Sequence, residues 1–333
     1  MTRRFHSFSA PQLEAYLELK QKLGYTSYAE QAFYIARDFD HYLAFHDIMM
    51  FKQIDEGLIA AWVHAIPQRS AGTKNRKLLF VQGWFDYLIR SGTAQANPAR
   101  RIPFLKVKPY KPYIYTLKEL QLILVEARRY THDRRHSLLN QTMETLLFLI
   151  YACGLRLGEA RNLKIQDVDF EENTLALWRT KFHKERLVPF SPAVARKLKA
   201  YLALRVQRYP PSSLEAPFFC HAKGKYCGGP LEVHFRKILV RCGLAKPKGR
   251  GAPRIHDLRH TFAVHRLYKW YQEGHDLLNK LPLLSTYMGH VNIEATQVYL
   301  TITRALLREG SRRFHDVFGD VAQKALKSAL KSA

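Results

Sequence analysis

The sequence predicts a mainly α-helical protein with one small antiparallel β-sheet, arranged as two domains. Apolar residues recur every three or four positions through most of the chain, a period typical of amphipathic helices. Two stretches, 167–177 and 185–190, alternate apolar and polar residues instead and flank a turn, which predicts a β-hairpin. Four prolines between residues 98 and 115 exclude a regular helix there and separate two groups of helices.

The first predicted domain, residues 1–97, is expected to be entirely helical. Ser27 and Glu30 have the spacing of a capping box, which marks the start of a helix. A later helix is expected over 73–90, where the apolar period predicts a buried stripe. The residues expected to point inward from it are Leu78, Leu79, Phe85, Leu88 and Ile89.

The chain carries a large excess of positive charge. Its 53 Lys and Arg against 28 Asp and Glu give a formal net charge of +25. Both parts contribute, since residues 1–115 hold 16 basic and 9 acidic side chains and residues 116–333 hold 37 and 19. Solubility alone needs a far smaller net charge. A polyanion is therefore the expected partner, because cations that displace counterions from phosphates bind strongly.

Two basic clusters are candidate contacts to that polyanion. One lies at the start of a helix, where backbone N–H groups also favour phosphate, and comprises Lys74, Arg76 and Lys77. The other lies in the linker predicted at 98–115 and comprises Arg100, Arg101, Lys106 and Lys108. The first cluster is also compatible with a solvated helix face. The linker is compatible with a two-domain clamp around a duplex and equally with a plain tether.

The second predicted domain, residues 116–319, begins with a T-x-x-E capping box at 116–119. Residues 138–154 form a strongly apolar run that predicts a core helix, ending at a glycine that lets the backbone turn. Directly after it, Arg156 and Glu159 stand three residues apart. Taken alone, this pair would be a surface salt bridge worth less than ~1 kcal/mol.

The stretch 254–299 holds the side chains of greatest chemical interest. His256 and Arg259 are three residues apart, which places both on one face of a helix, and His290 precedes Tyr299 by nine residues. An arginine fork can hold two phosphate oxygens, and a histidine can accept or donate a proton. A tyrosine oxygen can attack phosphorus and hold the product as a covalent ester. This set is suited to attack on a phosphodiester.

These motifs resemble those of the tyrosine recombinase, or phage integrase-like, family. The family's second box, H-x-x-R-H-T-F-A followed by G-H and a tyrosine nine residues further, matches His256 to Tyr299. The first box, G-L-R-x-x-E, matches Arg156 and Glu159, and the resemblance makes these the first phosphate-binding arginine and its acidic partner. Thr296 completes the family's T-x-x-Y pattern.

The predicted hairpin is similar to the family's β-hairpin, in which a lysine at the turn reaches the minor groove and the active site. Lys181 matches that lysine, and Lys184, in the same turn, competes for the role. The family often has glycine on both sides of the lysine, whereas this chain has Thr180 and Phe182, so the turn is expected to differ in shape. Lys184 and Arg186 are also expected to contact DNA.

The resemblance implies strand cleavage through a 3′-phosphotyrosyl link, with no cofactor and no metal. Six side chains would act on one phosphate: Tyr299, Arg156, Arg259, His256, His290 and Lys181. The tyrosine would attack phosphorus, the arginines would neutralise charge developing on its oxygens, and the first histidine would help to deprotonate the phenol. The second histidine would hydrogen-bond the phosphate, and the lysine would protonate the departing 5′-oxygen.

The resemblance also implies a fold and partners. It implies a helical, SAM-like core-binding domain joined to a mixed α/β catalytic domain that acts on double-stranded DNA. It implies a homo-oligomer, a dimer on each site and a tetramer in synapsis, together with accessory recombination proteins. The tail at 320–333 is expected to pack onto a neighbouring protomer; the alternative is a frayed end.

The favoured function is therefore a site-specific recombinase or integrase that integrates, excises or transposes a mobile element. A type IB topoisomerase or hairpin-end resolvase would apply the same chemistry to one duplex, and relaxation of supercoils without paired sites would indicate it. A non-catalytic DNA-binding regulator on this scaffold would not need the complete set of six residues.

The remaining observations concern metal and location. The spacing of Cys153, Cys220, Cys227 and Cys242 fits no zinc pattern, so free thiols in a reducing cytosol are expected. The N-terminus lacks an apolar signal core, and no run of about 18 apolar residues occurs. We expect no membrane partner and a location in the bacterial cytosol.

Overall fold

The computed structural model describes residues 5–67, 69–107, 110–131, 138–178, 185–245, 252–290, 294 and 296–300, without the side chains of 26–30. The chain divides into two compact units, Met1–Pro109 and Tyr110–Ala333. The predicted tail at 320–333 and the hairpin turn that carries Lys181 lie outside the described residues.

The first unit is helical, as predicted. Its elements are α1 (Ala10–Lys22), α2 (Thr26–Phe45), a 3-10 turn (Phe51–Gln53), α3 (Glu56–His64), α4 (Ala71–Arg90) and a second 3-10 turn (Pro98–Arg101). The helices surround an aromatic core in which Phe39 and Trp62 lie 4.6 Å apart between ring centroids. Trp84, on α4, is fully buried in the same core.

Two local predictions in this unit are wrong. The second helix begins at Thr26, so Ser27 lies inside it, and the residue before it, Tyr25, makes no side-chain cap. Leu79 is 55% exposed and Ile89 is 38% exposed, although we predicted both to be buried. Neighbouring residues on a helix point about 100° apart, and the buried stripe of α4 runs through Leu78, Phe85 and the other buried positions.

The segment predicted as a linker is anchored at both ends. At its start, Ala99 and Ile102 are buried in the core of the first unit, and the side chain of Asn97 accepts a hydrogen bond from the backbone N–H of Ala99. At its end, Tyr115 is buried in the second unit, where its backbone N–H donates to Thr261 at 3.0 Å.

The second unit contains seven named helices among its described residues. They are α5 (Leu117–Arg129), α6 (Leu139–Cys153), α7 (Leu157–Asn162), α8 (Pro192–Arg208), α9 (Gly228–Arg241), α10 (Ile255–Gln272) and α11 (Leu277–Met288). Residues 296–300 form a further helical segment. The predicted capping box at the start of α5 is confirmed, since Thr116 and Glu119 bond each other's backbone N–H groups.

Two small antiparallel sheets complete the second unit. The first has the order β1 (Val168–Asp169), β2 (Thr174–Leu177) and β3 (Arg186–Pro189). Leu175 pairs with Val168 on one side and with Val188 on the other. The predicted strand 167–177 is therefore two strands, separated by a turn in which Asn173 has a φ of 52°. A second hairpin pairs β4 (Cys220–His221) with β5 (Gly224–Lys225).

The core helix α6 ends where α10 crosses it. Gly154 follows α6 with a φ of 61°, a left-handed conformation that favours glycine. A Cβ atom at this position would lie 2.4 Å from the ring of Phe262 on α10. Glycine therefore permits the close approach of the end of α6 to α10.

Within the part of the chain that the structure describes, no helix is long and apolar enough to cross a membrane. The same part holds no cluster of three or more His, Cys, Asp or Glu side chains arranged to bind a metal ion.

Candidate active site

Arg259 occupies the centre of the site. It lies in the second turn of α10 and is 1% exposed. Its Nη1 donates to the carbonyl oxygen of Gly154, and its Nη2 donates to that of Met288, both at 2.6 Å. These carbonyls end α6 and α11, where helix C-termini leave oxygens without a helical partner and with partial negative charge. Burial and nearby Arg156 lower the pKa of Arg259, and Glu159 opposes them.

Glu159, in α7, holds the arginines together. Its carboxylate accepts a hydrogen bond from Arg156 at 2.6 Å and a two-pronged pair from Arg186 at 3.0 and 2.9 Å. Arg259 lies 3.8 Å from the same carboxylate. Burial alone would raise the pKa of Glu159, but the hydrogen bonds and charges of Arg186 and Arg156 outweigh it and lower the pKa to about 2.

The C-terminal end of α11 binds the same three arginines. Arg186 donates to the carbonyl of Tyr287 at 3.0 Å, and Arg156 donates to that of Gly289 at 2.8 Å. With the bond from Arg259 to Met288, three consecutive carbonyls each accept from a different guanidinium. We name this set, with Glu159, the arginine pocket. Its three positive charges face one carboxylate, so the pocket keeps a local positive excess.

Tyr299 lies beside the arginine pocket. Its side chain is 3% exposed and packs in a small apolar cluster with Phe262 and Met288. His260 Nδ1 lies 2.8 Å from the tyrosine hydroxyl, and the His290 ring stacks at 6.2 Å between centroids. Burial raises the pKa of Tyr299 to about 12, although Arg259 and Arg156 lower it in part. The predicted nucleophile and the predicted phosphate-binding arginines are therefore neighbours within one chain.

The helical segment that carries Tyr299 has a second anchor. Thr296, one turn earlier, is fully buried, and its hydroxyl lies 2.7 Å from Nδ1 of His290. When the threonine hydroxyl donates this bond, the other ring nitrogen of His290 carries the hydrogen. His290 then presents an N–H donor suited to a phosphate oxygen.

The three histidines of the site are neutral at pH 7. Burial is the main cause, and it lowers the pKa of His256 to about 4, of His260 to about 3 and of His290 to about 4. Neighbouring positive charge acts in the same direction, chiefly Arg259 on His256 and on His290. On His260 the second cause is His256, whose ring lies 4.8 Å away between centroids.

We expect the protein to lose stability as the pH falls from 7 to 5. In the folded state the pKa values of His256, His260 and His290 are about 4, 3 and 4, so the three rings stay neutral between pH 7 and pH 5. Histidines in the unfolded chain have a pKa near ~6.5 and take up protons in this interval. The unfolded state therefore binds more protons in this interval, and the free energy of unfolding decreases. Urea titrations followed by circular dichroism at the two pH values measure this loss.

The control for this prediction is the triple variant with asparagine at the three histidine positions. It should lose less stability between pH 7 and pH 5 than the wild type does. An equal loss in both proteins would contradict the assignment of buried, neutral histidines.

The candidate DNA contacts fall into different environments. Arg76, Arg101 and Lys106 are exposed, and Lys74 is half-buried. Arg100 is also exposed, but it forms an ion pair with Asp86 at 2.9 Å. Lys108, Lys181 and Lys184 lie outside the described residues.

Two of the predicted contacts, Lys77 and Arg186, already have acidic partners inside the protein. The side chain of Lys77 is 10% exposed, with its ammonium 2.6 Å from Asp38 and 4.4 Å from the ring centre of Trp62. The side chain of Arg186 is also 10% exposed and belongs to the arginine pocket. Both charges are paired inside the protein, and a direct DNA contact by either residue stays a prediction.

Sequence reasoning missed the part that His260 plays in the site. The available signal was its spacing of four residues from His256, which places both on one face of α10. The bond of His260 to Tyr299 spans 39 residues, and no local pattern predicts it.

The sequence model of the phage integrase family matches residues 116–305. The chain is 32% identical to the protein y4rB of Sinorhizobium fredii, over 90% of this chain and 95% of that protein. It is 30% identical to the tyrosine recombinase XerC of Oceanobacillus iheyensis, over 80% of each.

A solved structure shares the fold. The XerH site-specific recombinase, bound to a palindromic difH substrate in a post-cleavage complex, aligns with a TM-score of 0.62 at 20% identity. The alignment covers 85% of this chain and 78% of that one. It confirms the predicted fold class, which is mainly helical with small antiparallel sheets.

Proposed function

The chain belongs to the phage integrase family of tyrosine recombinases, and from this premise we propose that it cleaves and rejoins double-stranded DNA through a covalent link to Tyr299. One observation carries the proposal: the hydroxyl of Tyr299 lies among histidines beside the arginine pocket of the same chain. This arrangement supports cleavage in cis, in which one protomer supplies both the nucleophile and the phosphate-binding residues.

Arg156 and Arg259 are the proposed phosphate ligands. Their guanidinium groups are fixed in advance by backbone carbonyls, so they do not need to reorganise when a phosphate enters. The side chain of Arg156 is 23% exposed against 2% for Arg259, which makes Arg156 the more accessible of the two. The positive excess of the pocket attracts the phosphodiester and stabilises the charge that develops on its non-bridging oxygens.

The remaining groups move protons. In the proposed step a bond forms between the Tyr299 oxygen and phosphorus while the bond from phosphorus to the 5′-oxygen breaks. His256 takes the phenolic proton, and Lys181 supplies a proton to the 5′-oxygen. His290 donates a hydrogen bond to the phosphate. The 3′-phosphotyrosyl product conserves the bond energy, so a 5′-hydroxyl from a partner strand can reverse the step without a cofactor.

The proposed biological role is recombination of a mobile element, by integration, excision or transposition. The net charge of +25 supports DNA as the partner. Exchange between two duplexes breaks four strands and needs four nucleophiles. A homotetramer, formed by a dimer on each site, satisfies this requirement, and the helical first unit is proposed to bind the same DNA. We place this activity in the bacterial cytosol, with accessory recombination proteins as further partners.

The test is covalent capture of DNA. The protein is incubated with fragments of the chromosome that carries its gene, and protein–DNA adducts are collected by potassium–SDS precipitation and sequenced. A duplex built on the recovered site, with a nick near the cleavage point, then traps the adduct, which a denaturing gel resolves. If the protein binds DNA but forms no covalent adduct with any fragment, the proposal is refuted. Relaxation of supercoiled plasmid that lacks paired sites would indicate a topoisomerase instead.

Arg156→Lys should reduce the cleavage rate on the nicked duplex by at least about 100-fold. Lysine keeps the charge, but its single ammonium cannot bind Glu159, the Gly289 carbonyl and a phosphate with fixed geometry. Arg161→Lys is the matched control, because Arg161 lies on α7, the helix that directly follows Arg156, and donates instead to the carbonyl of Tyr226. A rate within threefold of wild type for Arg156→Lys would contradict the assignment.

A further inference from the structure

His260 has a contact that the six proposed residues do not explain. Its Nδ1 lies 2.8 Å from the hydroxyl oxygen of Tyr299, the atom that would form the bond to phosphorus. His260 directly follows Arg259 on α10. One turn of helix therefore holds both a phosphate-binding guanidinium and a ring that touches the nucleophile.

Two histidine contacts fix the position of the nucleophile. Thr296 joins the Tyr299 segment to His290 at 2.7 Å, and Tyr299 itself joins the segment to His260 at 2.8 Å. The first contact holds the backbone of the segment, whereas the second fixes the hydroxyl. A reacting oxygen displaced by about 1 Å from its line of attack can cost about 100-fold in rate.

His260 is a poor place to store the phenolic proton. It lies against His256, and two imidazoles whose centroids are 4.8 Å apart do not both become charged. Arg254 and Arg259 add positive charge on the same side. If His256 takes the proton, as proposed above, His260 must stay neutral and can act only as a hydrogen-bond partner.

We infer that His260 is a positioning residue for the reaction: its Nδ1–H donates a hydrogen bond to the Tyr299 hydroxyl oxygen and aims that oxygen at the scissile phosphate, which leaves the phenolic proton free for His256. This inference rests on the proposed cleavage chemistry. It adds a seventh side chain to the site and gives it a role distinct from that of His256.

Replacing His260 with asparagine or glutamine distinguishes positioning of the Tyr299 hydroxyl from proton transfer. The side-chain amide of asparagine reaches the position of Nδ1, whereas that of glutamine reaches the position of Nε2, and neither takes up a proton near neutral pH. Full-length His260→Asn, His260→Gln and His260→Ala are compared with wild type in single-turnover cleavage of the nicked duplex, from pH 6 to pH 9. Duplex affinity and thermal unfolding are measured in parallel.

The expected result is graded. His260→Asn should cleave within about threefold of wild type, while His260→Gln and His260→Ala should be slower by about 10- to 100-fold. Duplex affinity and the shape of the pH profile should be unchanged in all three. His234→Ala is the matched control, since His234 Nδ1 makes the same kind of contact with the Tyr130 hydroxyl at 3.0 Å, away from the arginine pocket.

Three outcomes would overturn the inference. If His260→Asn is as slow as His260→Ala, the ring acts by taking the proton. If His260→Ala cleaves as fast as wild type or faster, the contact does not position the nucleophile. If the slow variants lose duplex affinity in proportion to rate, the effect lies in binding. If His260→Ala is too unstable to assay, the comparison of His260→Asn with His260→Gln decides between the two roles. Failure of the wild type to form any adduct would refute the proposed function instead.

Discussion

Replacing Tyr299 with phenylalanine should abolish the covalent adduct and leave duplex binding unchanged. The ring of Tyr299 is 3% exposed within an apolar cluster, and phenylalanine fills the same space. The substitution removes only the hydroxyl, which is the proposed nucleophile and the partner of His260. A lost hydrogen bond of this kind costs about 1 kcal/mol of stability, too little to unfold the domain.

For Tyr299→Phe, the nicked-duplex assay measures adduct formation, and a gel-shift titration measures duplex binding. Tyr287→Phe is the matched control, because Tyr287 is a half-buried tyrosine next to the pocket, and its hydroxyl donates to the carbonyl of Pro189 at 3.1 Å. The control should still form the adduct. An adduct on Tyr299→Phe would show that the nucleophile lies elsewhere in the chain.

Replacing Glu159 with glutamine should remove both stability and activity. The carboxylate is 6% exposed and lies within 4 Å of Arg156, Arg186 and Arg259. Without it, three guanidinium groups repel one another in a site with little access to water. Removing one partner of a buried charge pair typically costs about 3–5 kcal/mol. Cleavage should be lost too, because the carboxylate keeps two phosphate-binding arginines in place.

The stability loss in Glu159→Gln should depend on pH in a definite direction. The folded-state pKa of Glu159 is about 2, below its ordinary value of 4.5. A carboxylate with a lowered pKa stabilises the fold above the unfolded value, and this contribution disappears as the pH falls through the folded value. Urea unfolding should therefore separate wild type from the variant most clearly above pH 4.5, and the gap should narrow towards pH 2.

The control for this prediction is Glu144→Gln, which removes the carboxylate of a pair with one cation, Lys197. Its loss of stability should be clearly smaller, and its cleavage rate should stay near wild type. Equal losses in the two variants would contradict a special role for Glu159.

The helices could be predicted from the sequence because their signals are local. The apolar run at 138–154 became α6, with its glycine in the left-handed conformation. The capping box at 116–119 opens α5. The errors also have local causes: Leu79 and Ile89 each adjoin a buried residue, and the polar turn around Asn173 lies inside a stretch that we predicted as one strand.

The candidate site was predictable only in part. Arg156, Glu159, His256 and Arg259 stand at short helical spacings that a single stretch of sequence reveals. Arg186 could not be placed in the same way, because it meets Glu159 across 27 residues and only the folded sheet brings them together. As a basic residue close to the predicted turn, it is predicted from the sequence to contact DNA.

The three consecutive carbonyls at the end of α11 have a consequence for how this site can change. Each fixes one guanidinium, so a displacement of that single peptide stretch shifts all three cations together. The chain continues from Gly289 directly into His290. A backbone change at Tyr287, Met288 or Gly289 would therefore alter the fit of all three cations to a phosphate at once, whereas a side-chain substitution alters one of them.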